Sequence, residues 1–293
     1  CIVGKSTAII AAGARIAARG GSESGDGGFV ETSGHWNFQI GSMPDIGASA
    51  GHGGTWLIDP TDITIVAGSG PVTANTLYAD DMSNFLENSG SLTITTDSLD
   101  PDLGIINWLN DANVSWTTAN DLALNADNSI VFDGSISANL GNVGFTAGGD
   151  IAINNDISTG GNVDLTATGG SISGAGLVAA DVLTVDAAGA IDLQTAANAI
   201  GFSAGGDVAI AEADAVTVAG STANNGLIDV QTANGTLTVG TVGAQTGLAA
   251  DSSGSVTLVA SGAGSEVRVN QVVSSMTGDI AMMAADRVAT SAK

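Results

Sequence analysis

The chain predicts an all-β fold, a single-stranded parallel β-helix or β-solenoid, on three observations. First, a short apolar–polar alternation keeps returning. Asn-Val-Gly-Phe-Thr-Ala begins at Asn142, Asn-Val-Asp-Leu-Thr-Ala at Asn162, Val-Leu-Thr-Val-Asp-Ala at Val182 and Ile-Gly-Phe-Ser-Ala at Ile200. An interval of about 20 residues, holding two or three short strands and no helical pattern, is one coil of a solenoid. Second, residues 144–153 read GFTAGGDIAI and residues 201–210 read GFSAGGDVAI. That separation is three coils of about 19 residues, so the two segments are expected on one face, three layers apart. Third, the chain is 44% hydrophobic but only 4% aromatic, and it holds 42 glycines. Val, Ile, Leu and Ala must then fill a narrow interior, while Gly supplies the corners.

Taken in order, residues 1–66 form a Gly-rich solenoid segment with short strands at 8–11, 15–18, 29–32, 36–40 and 56–58, and a loop at 22–28. Residues 61–67 (TDITIVA) make a clean strand with Ile63, Ile65 and Ala67 on one side. Residues 67–129 are irregular coils with a short helix at 76–88, where Leu77, Tyr78, Met82, Phe85 and Leu86 make one apolar side and Thr76 stands as its cap. Regular repeats follow over 130–293, lengthened at 221–226 and 243–254 by loops that bulge from a corner. In these repeats Val163, Leu165, Leu183, Val185, Ile191, Leu193, Val208 and Ile210 point inward, and Asp164, Thr184, Asp192 and Ala209 outward. All 4 prolines precede residue 102, so later strands keep every ladder donor. No Pro/Ser-rich linker interrupts the chain, which reads as one continuous rod.

Charge narrows the function. Six Lys and Arg stand against 30 Asp and Glu, a formal net charge of -24, and no cation occurs between Arg19 and Arg268. Such a surface cannot neutralise phosphates, which argues against nucleic acid and anionic membranes as partners. No run of about 18 apolar residues suggests membrane insertion. Cys1 is the single cysteine, which rules out an internal disulfide and a thiolate zinc cluster.

Enzymes built on parallel β-helices cleave polysaccharides with clustered carboxylates and a cationic partner. Asp150, Asp156, Asp164, Asp186, Asp192 and Asp207 supply carboxylates, but the cation is missing, and His35 and His52 sit in the Gly-rich region without an acid–nucleophile set. A carbohydrate-active enzyme is therefore a distant alternative. Ser24-Gly25-Asp26-Gly27-Gly28 resembles one turn of a calcium-binding β-roll, yet those sites need tandem copies. No cofactor is expected beyond weak Ca2+ at stacked Asp turns. Asn113-Val114-Ser115 forms an N-x-S/T sequon, a candidate for glycosylation.

Residues 16–65 carry a further pattern: IAARGGSESGDGGFVETSGHWNFQIG, then GASAGHGGTWLIDPTDITI. Gly27, Gly28, Phe29, Val30 and Glu31, then Ser33 and Gly34, then Leu57, Ile58, Asp59 and Pro60 carry the match. This resembles the segment after the secretion domain in two-partner secretion exoproteins of the filamentous haemagglutinin and high-molecular-weight adhesin type. The texture of residues 104–137 is similar to theirs as well. The resemblance implies a right-handed parallel β-helix, export through an outer-membrane secretion pore, and a place at the cell surface of a Gram-negative-type bacterium. It also implies that the secretion domain lies before residue 1. On this reading the chain is a non-catalytic structural shaft of an adhesin or filament, with a host or cell-surface receptor engaged by the parent protein. The alternative is a self-assembling extracellular fibre or matrix subunit, joined through the ends of the solenoid.

Overall fold

The computed structural model describes residues 1–34, 37–70, 75–97 and 104–291. The chain divides into two compact units, residues 1–149 with 159–161, and residues 150–158 with 162–293. Each is a parallel β-helix.

In the second unit the strand Val163–Ala167 pairs in parallel with residues 183–187, these with 200–204, and these with 218–222. Paired residues lie 20, 17 and 18 apart (Val163 with Leu183, Leu183 with Ile200, Ile200 with Val218). A second column runs from Ile191 to Val208, Ile228, Val256 and Ile280, each pair again parallel and in register. The alternation of the sequence becomes a wall with two sides. Val163, Leu165, Leu183, Val185, Ile191, Leu193, Val208 and Ile210 are all at most 2% exposed, while Asp164, Thr184 and Asp192 face solvent.

Coils of about 20 residues describe only part of the molecule. Later in the second unit the spacing rises to 28 and 25 (Gly220 with Leu248, Leu248 with Val273). The extra length over 243–254 is not a simple loop. Thr241–Val242 and Gln245–Thr246 form an antiparallel hairpin, and Leu248–Ala250 rejoins the wall. Val242 is 7% exposed because it packs on the outer side of the wall at Gly201, where a Cβ would lie 3.3 Å from its Cγ1. The outward position that other coils fill with Asp or Thr is Gly here, and that makes room for the hairpin.

The first unit is wider. Its coils span 26, 36, 30 and 21 residues (Phe29 to Thr55, Gly54 to Gly90, Leu92 to Leu122, Leu122 to Val143). The larger lumen is filled by aromatic rings. Trp108, Phe132 and Phe145 stack with centroids 5.1 and 5.5 Å apart, and Trp56 meets Phe85 at 5.0 Å. Each described indole N–H has an acceptor: Trp56 donates to Thr32 Oγ1, Trp108 to the Ala112 carbonyl and Trp116 to the Asn120 carbonyl. A buried indole would otherwise lose a hydrogen bond to water.

The longest of these coils contains the helix Ala79–Asn88. It buries Ala79, Met82, Phe85 and Leu86, so its apolar side closes the coil as a strand does elsewhere. Thr76 does not cap it. That residue lies in the strand Thr76–Tyr78, the extended Tyr78 is the N-cap with no side-chain bond, and Asp80 and Asp81 in the first turn face the positive end of the helix dipole. Residues 15–18 form no strand either, only a single bridge from Ala17 to Asp45. His35 and Trp36, part of the strand expected at 36–40, lie outside the described residues; Asn37–Ile40 is a strand.

Candidate functional site

Most carboxylates whose partners are resolved serve the corners. Asp150 accepts the backbone N–H of Ser171 (2.7 Å), Asp156 that of Leu177 (2.9 Å) and Asp207 that of Leu227 (2.9 Å). Asp121 holds Asn142 in the same way, and Asp62 holds both Gly104 and Ile105. Each bond ties a corner to the corner one coil later, where the strand ladder has stopped and a backbone donor would lack a partner. Asp164, Asp186 and Asp192 instead sit on outward strand positions, registered with Thr184, Ser203 and Ser173. The sequence holds no Lys or Arg between residues 20 and 267, the stretch that contains all eight of these acids.

The motif residues are structural as well. The strands Phe29–Gly34 and Gly54–Asp59 pair directly, with Val30 beside Trp56 and Thr32 beside Ile58. Val30 and Ile58 point into the core, Phe29 is 58% exposed, and Leu57 pairs with Glu31 on the outer side. Glu31 accepts bonds from Ser33 and from the Cys1 thiol. At Gly27 a Cβ would fall 1.8 Å from the Ile46 carbonyl oxygen, which only a missing side chain permits. Ser33 pairs with Asp59 at the strand ends, and Gly34 pairs with Gly4 of the preceding coil. Buried Pro60 turns the chain after Asp59, and its carbonyl accepts the N–H of Asp97. Gly28 lies where its carbonyl accepts the N–H of Thr55. Asp26 accepts the N–H of His52 (2.8 Å), 26 residues later, so it does not close its own turn but ties it to the next coil. Among the described residues no group of three or more His, Cys, Asp or Glu is placed to hold a metal ion.

Asn113 is exposed at the start of the strand Asn113–Trp116, and its Oδ1 accepts the Ser135 hydroxyl. Sequence reasoning passed over a second sequon, Asn234-Gly235-Thr236. It lies in an exposed turn, with Gly235 at a φ of 81.

Four described carboxyls are shifted from the ordinary range; Arg19 lowers Asp45, and Arg268 and Arg287 lower Glu266. Glu212 is 2% exposed, and burial pushes its carboxyl above the ordinary range against the pull of four hydrogen bonds. Glu87 is held below the ordinary range by the backbone N–H and the hydroxyl of Thr117, at 2.6 and 2.8 Å.

Glu87 also lines two open polar clefts in the first unit. On one side of it lies a cleft of about 270 Å3, floored by Gly47, Gly51 and Gly53 and walled by His52, Asn88 and Asn120. On the other side a cleft of about 420 Å3 is lined by Ser115, Trp116, Thr117, Ser137 and Asn139. The two clefts share Glu87. One wall of the first is pinned: Thr118 Oγ1 and Asn120 Nδ2 both donate to the Leu86 carbonyl, at 2.8 and 2.6 Å. These bonds satisfy one of the carbonyls a helix leaves unpaired at its end. No family model, curated protein sequence or solved structure matches this chain.

Proposed function

We propose that this chain is a non-catalytic structural section, a rigid anionic shaft, of a secreted cell-surface adhesin or filament. The observation that carries the reading is the use of the carboxylates. Asp62, Asp121, Asp150, Asp156 and Asp207 are engaged by backbone donors of the next coil, as structural acids are, and the sequence holds no Lys or Arg between residues 20 and 267. A catalytic carboxylate pair needs an open approach and a group that stabilises developing charge. The resemblance over residues 16–65 supports export through an outer-membrane pore and display on a Gram-negative-type surface. Its motif residues Phe29, Val30, Glu31, Ser33, Gly34, Leu57, Ile58 and Asp59 sit on two strands that pair with each other, so the pattern preserves a wall of the solenoid.

The test is a cleavage screen against neutral and acidic polysaccharides, run beside electron microscopy of the purified chain. Discrete short particles without turnover are expected. Turnover that one Asp substitution abolishes would move the protein to the β-helix carbohydrate-active enzymes. Long fibres from this chain alone would favour the self-assembling fibre subunit.

A further inference from the structure

We propose that Asn234-Gly235, at a corner of the second unit, is a self-modification site, where the Asn234 amide is lost through a cyclic imide and replaced by aspartate and isoaspartate without an enzyme. The sequence holds two Asn-Gly pairs, Asn225-Gly226 and Asn234-Gly235. Glycine after asparagine leaves the attacking backbone nitrogen unshielded by a side chain, so by sequence the two are equally reactive. The fold separates them. At Asn225 both reacting groups are held. The Gly226 N–H donates to the Ala223 carbonyl at 2.8 Å, Gly226 is buried, and Asn225 Oδ1 accepts the hydroxyl and the N–H of Ser253 at 3.2 and 3.4 Å. Asn234 is exposed in the bend between the strands Ile228–Thr232 and Leu237–Val239. Among the described residues neither its side-chain amide nor the Gly235 N–H has a hydrogen-bond partner. The bonds on either side are made: the Ala233 N–H donates to the Glu212 carbonyl, and the Thr236 carbonyl accepts the Val216 N–H.

The chemistry needs only water and hydroxide. The Gly235 nitrogen gives its proton to hydroxide and attacks Asn234 Cγ. The N–Cγ bond forms, the Cγ–Nδ2 bond breaks, and Nδ2 leaves as ammonia, taking a proton back through water. A second water opens the imide at either carbonyl, giving aspartate by one route and isoaspartate by the other. The sum is an amide plus water giving a carboxylic acid plus ammonia, with nothing oxidised or reduced. At Gly226 the same proton must first be released from the Ala223 carbonyl by a local opening of the turn, and Asn225 must also leave Ser253. Conversion adds a carboxylate to a chain whose net charge is already -24. The isoaspartyl product also adds a methylene to the main chain where the next coil stacks closely: a Cβ on Gly262 would fall 2.7 Å from Asn234 Cα.

The test is peptide mapping by mass spectrometry of the whole folded chain, incubated in mildly alkaline, phosphate-free buffer beside the same chain unfolded in guanidinium chloride. Trypsin has no site between Arg19 and Arg268, so a protease specific for aspartate is used, and Asp229 separates the two pairs. Unfolded, both pairs should convert at similar rates, and their half-conversion sets the observation time. In the folded chain the peptide that carries Asn234 should gain about 1 Da at least about tenfold faster than the one that carries Asn225. An isoaspartate-specific carboxyl methyltransferase should label it. A smaller ratio, an Asn234 still intact at that time, or aspartate without isoaspartate overturns the proposal.

Discussion

The Thr195 hydroxyl donates a 2.7 Å hydrogen bond to the carboxylate of Glu212, 17 residues later and inside the wall of the second unit. The same oxygen of Glu212 accepts the N–H of Ala197, and its other oxygen accepts those of Ala213 and Asp214. One side chain thereby closes two corners in a stretch where the coils are shortest. Glu212→Ala would strand a hydroxyl and the backbone donors of Ala197 and Asp214, while Ala213 keeps its bond to the Thr195 carbonyl, at a cost of about 2–4 kcal/mol, with Glu212→Gln costing less.

Its ionisation gives a pH signature. Burial raises the folded-state pKa above that of an ordinary glutamate, so between the unfolded and folded values the native state holds a proton that the unfolded state has lost. The contribution of Glu212 to stability is therefore greatest below the unfolded pKa and declines as pH rises through the folded one. Urea titrations should show wild type losing stability relative to Glu212→Gln between acid and neutral pH. The opposite trend would mean that the four donors outweigh burial.

Gly226, Gly254 and Gly278 make a column at one corner. A Cβ on Gly254 would lie 2.1 Å from the Gly226 carbonyl oxygen, and one on Gly278 would lie 2.3 Å from that of Gly254. Gly254→Ala should force the coils apart and cost on the order of 2 kcal/mol or more. Gly243→Ala offers the comparison. Its φ of +57 is strained for Ala, but nothing lies within 4 Å, so about 1 kcal/mol is expected. Equal melting temperatures for the two variants would contradict the close stacking.

Val163 and Asp164 are neighbours on opposite sides of one strand, the first 0% exposed and the second facing solvent. Val163→Asp places a charge in the column and should cost about 3–5 kcal/mol. Asp164→Asn should leave the melting temperature nearly unchanged. Thermal unfolding of both decides it.

What was legible in the residues was the period-2 rule. It needs only local alternation, and Val163, Leu183 and Val208 obey it. Coil length was legible only where every coil is built alike. Trp56, Trp108 and Phe132 widen the first unit, and ring stacking across coils leaves no mark in local alternation. The clefts beside Glu87 were hidden for a similar reason: Asn88 ends the helix and Asn120 belongs to the next coil, and only the folded chain puts both on one cleft. Gly201 was visible, but its meaning required Val242, 41 residues away, to fold back over it.

That hairpin makes its own prediction. Val242→Ala removes the side chain that lies on Gly201 and should cost about 1 kcal/mol. Amide exchange should quicken over residues 241–246 and stay slow in the strand Ile191–Ala204 beneath. Acceleration shared equally by the wall would show that the hairpin is part of the coil and not an addition to it.

The last prediction concerns the charge of the whole chain. Thirty acids against six cations, a net -24, leave copies of this protein repelling one another at low salt. The Debye length shrinks from about 30 Å at 0.01 M to about 8 Å at physiological ionic strength, so the repulsion should fade across that range. Light scattering should report a strongly positive second virial coefficient in dilute buffer that declines as salt is added. Divalent cations should lower it at smaller ionic strength, because they bridge and screen exposed carboxylates such as Asp164, Asp186 and Asp192. Attraction already present in dilute buffer would mean that a specific contact overrides the field. It would turn the functional reading from a shaft toward a subunit that assembles.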